Sequence, residues 1–285
     1  MTSPPRTPTA RPRAARSAYA AGVCACLLLW LLPLGGIALA SLQTLDDLNR
    51  GAVWSWPRSL QWSNYATVLA SSAMPRFIVN SIVVTLPAVA GTILFSAMAG
   101  FALAKHPFPG SRALLMAFVA GNLVPFQVLM IPVRDLVIGL RLYDSRFALV
   151  LFHVAFQTGF CTLFMRNFIR ELPDALLDAA RVDGAGEFRV FAAVVLPLLK
   201  PAIAAMSVLV FTFVWNDYFW SLVLVQSDTV RPVTAGVQSL RGMWQTSWNL
   251  VAAASILAAL PPVALFFVMQ RHLVAGLTFG RGPGR

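Results

Sequence analysis

The stretch DALLDAARVDGAGEFRVFAAVVLPLLKP, Asp174 to Pro201, decides how the rest of the chain is read, because it is a charged, two-part segment lodged between long apolar runs. Pro173 suits the first turn of a helix, where a missing N–H costs nothing, and Asp174 complements the positive end of the helix dipole. A short amphipathic helix is expected from Asp174 to Val182. Leu172, Leu176 and Ala180 share one face at i, i+4 spacing, while Ala175 and Ala179 form a small-residue face that lets another surface approach closely. Asp183-Gly184-Ala185-Gly186 breaks this helix, since glycine tolerates left-handed dihedrals that a Cβ disfavours. A second helix begins near Glu187, with Phe188, Phe191, Ala192 and Val195 as its apolar stripe, until Pro197 interrupts it. The plainer reading is a connector lying on lipid headgroups. Such helices favour Lys and Arg on the polar face, however, whereas this one mixes Asp174, Asp178, Asp183 and Glu187 with its arginines. The segment therefore reads as a helix-turn-helix knob built for a protein partner.

The surrounding composition places this knob in a membrane protein. Of 285 residues, 58% are hydrophobic and 12% charged, against about 25% charged in a soluble domain. The net charge of +11 and a pI near 11.0 would suit nucleic acid, but no soluble domain is large enough to carry a basic face, so that partner is not expected. Five stretches lack Asp, Glu, Lys and Arg and are long enough to cross a bilayer: 17–45, 77–104, 113–133, 147–165 and 242–270. A sixth, 201–226, is interrupted only by Asp217. Backbone polar groups in lipid must be satisfied inside each segment, so the fold class is all-α integral membrane with six transmembrane helices.

Of the 22 Lys and Arg, 14 fall on the inner side and eight on the outer if the N-terminus is cytoplasmic, which places both termini and the knob in the cytoplasm. Residues 1–16, rich in Pro and Arg and free of acidic residues, are expected to be a disordered tail. The first span resembles a cleavable signal peptide at Ala38 to Ala40, but its uncharged core exceeds the usual h-region, so an uncleaved helix is the better reading. The expected organisation is tail 1–16, first helix and outer loop 17–73, core 74–280 with the loop at 166–200, and tail 281–285.

Most chemical motifs are absent. Cys24, Cys26 and Cys161 lie in apolar spans and read as packing residues. His106 and His272 border spans and His153 lies within one, with no second ligand at helical spacing, so no metal or cofactor is expected. The two lysines, Lys105 and Lys200, follow Ala104 and Leu199, and neither belongs to a phosphate-binding glycine loop. If the chain moves anything uphill, the energy must enter from a partner or an ion gradient.

At the knob the sequence resembles the inner-membrane permeases of binding-protein-dependent ABC importers. Their cytoplasmic motif runs Glu-Ala-Ala, three residues, Gly, nine residues, Ile, one residue, Leu-Pro. Here Asp178-Ala179-Ala180 is followed by Gly184, then by Val194, one residue and Leu196-Pro197, with Asp and Val as the two departures. The segments WNDYFW (Trp215 to Trp220), IPVRDLVIGLRLYDS and ALPPVALFFVMQRHLVAGLTFG (Ala259 to Gly280) look like the carbohydrate-type subgroup. The resemblance implies an ABC importer type I transmembrane domain with a cytoplasmic coupling helix. Asp178, Ala179, Ala180, Asp183, Gly184, Leu196 and Pro197 would couple to an ATPase dimer. A second homologous permease, an extracytoplasmic solute-binding protein and a sugar substrate complete the implied assembly.

Two other classes compete. An ion-coupled secondary transporter usually places several ionisable residues at the midplane, yet Asp217 is the only acidic residue within these spans. A membrane enzyme needs convergent acid, base or metal groups, which the spans lack. A buried carboxylate is costly in lipid, so Asp217 should face the bundle, water or a partner. With Asn216 and Trp215 beside it, and His153, it marks a candidate substrate path; a structural hydrogen-bond network is the plainer role for the same residues.

Overall fold

A computed structural model describes residues 13–51, 53–57, 59–106, 108–241 and 246–278. α1 (Arg13–Ser41) leads through α2 (Leu45–Asn49) and α3 (Ser63–Ser71) to α4 (Met74–Lys105). α5 (Ser111–Gly121) and α6 (Met130–Gly139) flank a 3-10 turn, and α7 (Arg146–Arg170) follows. The knob comprises α8 (Asp174–Val182), α9 (Glu187–Val190), a π turn at Phe191–Val195 and α10 (Leu196–Leu198). α11 (Lys200–Trp215), α12 (Phe219–Leu224), α13 (Val233–Ser239) and α14 (Trp248–Thr278) complete the order. The expected tail 1–16 lies outside the described residues up to residue 12, while residues 13–16 already belong to α1; the tail 281–285 also lies outside them.

Four helices are long and apolar enough to cross a membrane, within α1, α4, α7 and α14, and two bent pairs bring the total to six if each pair is one span. The helices over the expected spans 113–133 and 201–226 are both broken. In the first, the helix stops at Gly121, Pro125 leaves the helical region with a ψ of 119°, and the two halves meet at 94°. Proline lacks an N–H and biases its predecessor away from helix. In the second, α11 ends at Trp215 and α12 restarts at Phe219. The bent pair passes instead through Leu199, where Glu187–Leu198 meets Lys200–Trp215 at 77°. Pro201 at the start of α11 favours this boundary.

The central pairing is α4 on α7. Small residues permit it: a Cβ on Gly100 would stand 2.9 Å from the Arg166 backbone nitrogen, and one on Gly91 the same distance from a Val154 methyl. Lipid tails are as apolar as leucine, so spans associate through such close packing. Gly91 meets Val154, Ser96 Oγ donates to Thr158 O at 3.3 Å, and Gly100 meets Arg166. Both sequences advance together, so the two helices are parallel. Parallel neighbours need a return crossing between them, which supports counting the α5–α6 pair as one span.

One core cluster joins Ala97, Phe101, Met165 and Ile169 of this pair to Leu177, Val190, Val195 and Leu199 of the knob, so the knob's inner face belongs to the bundle. A second cluster, with Met74, Phe77, Phe211, Trp215, Ala253 and Ala254, joins α4 and α11 to α14. Asp144, at a φ of 58°, fastens the turn before α7 to the chain after α12. Its carboxylate accepts from Gln226 N at 2.8 Å, from Ser227 N at 2.9 Å and from the Ser227 hydroxyl. Burial alone would raise its pKa, but these hydrogen bonds and Arg231 outweigh it and hold the carboxyl below the usual aspartate value.

Candidate functional site

The knob is stitched to the bundle and to itself. Lys105, the last residue of α4 and only 8% exposed at its side chain, donates from Nζ to Leu172 O at 2.8 Å and to Asp174 Oδ1 at 2.6 Å. Its hydrogen bond and charge hold the Asp174 carboxyl below the ordinary aspartate value. The next residue, His106, places Nε2 3.0 Å from Glu187 Oε2. Consecutive residues of one helix end thus reach both halves of the knob.

Within the knob, Arg181 bridges the two halves. Its Nε donates to Glu187 Oε1 at 2.8 Å and its NH2 group to Oε2 at 3.3 Å, while NH1 donates to Asp178 Oδ1 at 2.8 Å. Glu187 first and Asp178 second raise the guanidinium's pKa. The turn between them is a Schellman cap: Ala185 N donates to Ala180 O and Gly184 N to Arg181 O, both at 3.0 Å. Gly184 has a φ of +83°, the left-handed conformation expected from the sequence.

The outward face of the knob mixes small and apolar side chains with carboxylates. Ala175, Asp178, Ala179, Asp183 and Gly184 are exposed, as are Val182 at 87% and Phe188 at 76%. The expected apolar faces are partly wrong. Leu177 is the buried residue of α8, with Leu172 and Ala180 packed beside it, and Leu176 points outward. In the second half Val190 joins Phe191 and Val195 inside, and Phe188 and Ala192 lie outside. The π turn shifts the helical phase ahead of Pro197, which has no N–H to continue the ladder. Leu196 is half-buried against the core and Pro197 is exposed.

The second group lies in the apolar region. Asp217 Oδ1 accepts from Trp220 N at 3.2 Å, and Oδ2 accepts from Ser221 N at 3.1 Å and from Ser221 Oγ at 3.3 Å, so the carboxylate restarts the chain as α12. His153 Nε2 stands 3.5 Å from Asp217 Oδ2, with side chains 6% and 11% exposed. Asn216 gives its amide to Thr212 O at 2.9 Å. Trp215 is placed elsewhere: it is buried in the second core cluster and donates from Nε1 to Ala258 O at 3.0 Å.

His153, Asn216 and Asp217 line one cavity of about 610 Å³. Asn122 at the end of α5 and Gln157 on α7 add two amides to it, and Phe152, Phe156, Phe219 and Trp220 supply aromatic faces. Phe152 and Trp220 pack with ring centroids 3.9 Å apart. The sequence reading missed Gln157, Asn122, Lys105 and the His106–Glu187 contact. For Gln157 a signal existed, since an amide four residues after His153 falls on the same face of a lipid-soluble helix.

Comparison with known proteins places the chain in a family. Residues 92–279 match the profile of the binding-protein-dependent transport system inner membrane component family. The arabinooligosaccharides transport system permease protein AraQ of Halalkalibacterium halodurans is 30% identical over 89% of this chain and 91% of its own. The osmoprotective compounds uptake permease protein GgtD of Synechocystis is 32% identical over 88% and 87%. A chain of the crystal structure of a bacterial ABC transporter involved in the import of the acidic polysaccharide alginate superposes with a TM-score of 0.80 at 23% identity. The match covers 93% of this chain and 99% of that one, and it establishes the shared fold.

Proposed function

Because the chain belongs to the binding-protein-dependent transport system inner membrane component family, we propose that it is a membrane-spanning permease of an ATP-driven sugar importer. The knob docks on a separate ATPase subunit, a second homologous permease completes the pathway, and an extracytoplasmic solute-binding protein delivers the sugar. Both termini face the cytoplasm, in accord with the excess of Lys and Arg on that side. A sugar is favoured by the name of the AraQ relative and by a cavity of amides and aromatic rings.

One observation carries the coupling role: the knob is braced internally and leaves small and apolar side chains uncovered among the charges of its outer face. Its break is fixed by the Schellman cap at Gly184 and by Arg181, its inner face is core, and its outer face leaves Ala175, Ala179, Val182 and Phe188 uncovered. A force on that face passes through Lys105 into α4 and through α9 and α10 into α11. Closure of the ATPase would so move the spans that flank the cavity, while this chain supplies no phosphate-binding loop of its own.

The test is co-expression with the ATPase and second permease of the importer, followed by purification and measurement of ATP hydrolysis. Hydrolysis stimulated by the loaded binding protein, and loss of the ATPase from the complex on Ala179→Arg, is the expected result. ATP turnover by this chain alone, or retention of the ATPase with Ala179→Arg, would overturn the assignment.

A further inference from the structure

On α7, His153 and Gln157 are four residues apart, as are Phe152 and Phe156, so this helix presents a polar pair beside an aromatic pair to the same cavity. The polar groups differ in what they have left to offer. Asp217 is committed to the first N–H groups of α12 and to His153. Asn216 and Asn122 each donate to a backbone carbonyl one turn earlier, Thr212 O and Phe118 O. Gln157 is half-buried, and among the described residues its amide has no hydrogen-bond partner. A bare amide in an apolar region is unfavourable unless something bonds to it, and polar residues inside a membrane face the bundle interior or a pathway.

We propose that Gln157 is a specificity-determining contact for a neutral saccharide in this cavity. The inference rests on the importer reading and adds the ligand's charge class to it. None of the residues lining the cavity is Lys or Arg, and its one carboxylate is already paired. An acidic sugar would lose hydration there with no free cation to replace it, since the one basic side chain, His153, already faces Asp217, whereas hydroxyl groups find an amide with free donors and acceptor, and aromatic faces to lie against. The volume of about 610 Å³ falls within the ordinary range of roughly 300–1,000 Å³ for small-molecule sites. The preference assigned to this cavity thus parts from that of the structurally similar transporter, which is involved in the import of an acidic polysaccharide.

The test uses the assembled complex of both permeases and the ATPase in detergent, without the binding protein, so that only the membrane site is read. Binding of maltotriose and arabinotriose is compared with that of trigalacturonate by calorimetry. At least one neutral probe should bind, and the acidic probe should bind about tenfold more weakly or not at all. Gln157→Leu should weaken the neutral probe about tenfold, the effect of one lost polar contact, and Gln157→Asn should recover part of it. Equal affinity for neutral and acidic probes, no binding of either class, or a Gln157→Leu complex that binds as before would each overturn the proposal. So would separation of the two permeases by Gln157→Leu, since the amide would then be a subunit contact. The comparison of probes on the native complex stands even where a variant fails to assemble. Binding-protein-stimulated ATP hydrolysis in the same preparation reports separately on the importer reading: if it is absent, that reading fails; if it is present and the probes behave otherwise, only the Gln157 proposal fails.

Discussion

Lys105 Nζ lies 2.6 Å from Asp174 Oδ1 and 2.8 Å from Leu172 O, so the end of a spanning helix holds the first turn of the knob. Asp174 is largely exposed and Lys105 largely buried, so the pair's worth lies in placement and in satisfying a carbonyl more than in surface charge. Lys105→Met removes both contacts and leaves the Leu172 carbonyl wanting a donor, a loss of about 1–3 kcal/mol where it is shielded from water. Insertion should be normal, while ATP hydrolysis and uptake become uncoupled; Lys105→Arg should restore part of the coupling. Uptake and hydrolysis measured side by side in proteoliposomes check this.

The same pair sets a pH response. The Asp174 carboxyl is held below its ordinary value of 3.8 by Lys105, so its contribution is fully present above that value and fades as pH falls through the lower, folded value. A spin label at Val182, on the exposed edge of α8, should be immobile near neutral pH and gain mobility below about 3.8. With Lys105→Met it should be mobile throughout. Equal mobility of the two proteins at neutral pH would show that the pair does not hold the knob.

Asp217 anchors the break before α12. Its two oxygens take the N–H groups of Trp220 and Ser221, and losing such a cap costs about 0.5–2 kcal/mol. Asp217→Ala should lower the thermal midpoint of the purified complex, and Asp217→Asn, which keeps an acceptor, should lower it less. A drop of equal size in both would assign the effect to the charge and its His153 partner instead.

The parts legible in the sequence were those with local causes. Apolar runs gave the spanning segments, and Gly184 declared a left-handed turn because few other residues tolerate one. Hydropathy could not see the bend after Gly121, since the chain stays apolar through it, or the bend at Leu199, which falls ahead of the apolar run 201–226. Leu176 was chosen for burial where Leu177 is buried, because one position is about 100° on a helix and α8 is too short to average the error. His153 and Asp217 meet only through tertiary folding, and Lys105 at the end of a span looked like a topological charge until its partners were in place.

The α4–α7 contact should be intolerant of bulk. A side chain at Gly100 would begin 2.9 Å from the Arg166 backbone nitrogen, which cannot swing away. Gly100→Ala overpacks the pair by about 1–3 kcal/mol and Gly100→Leu forces the helices apart. Gly22, with nothing within 4 Å of an added Cβ, is the control. Size-exclusion profiles of the detergent-solubilised protein should show aggregation rising from Gly22→Leu through Gly100→Ala to Gly100→Leu.

Gly184 isolates backbone conformation from packing. Its φ is +83°, yet beyond its chain neighbours no atom lies within 4 Å of the position a Cβ would take, so within this chain a substitution there acts through strain alone. A β-branched residue at positive φ is a strong outlier, and residues held in such regions cost about 1–3 kcal/mol. That is small beside the stability of a bundle of lipid-buried helices but large for a docking surface, where about 1.4 kcal/mol is a tenfold change in affinity. Gly184→Val should therefore reach the membrane in normal amount, lose the ATPase on purification and fail to transport. Asparagine adopts the left-handed conformation more readily than other non-glycine residues, so Gly184→Asn should retain much of both. Should Gly184→Val carry its ATPase and transport at the parental rate, the turn is not the fixed element that transmits force from the docking face to α4 and α11.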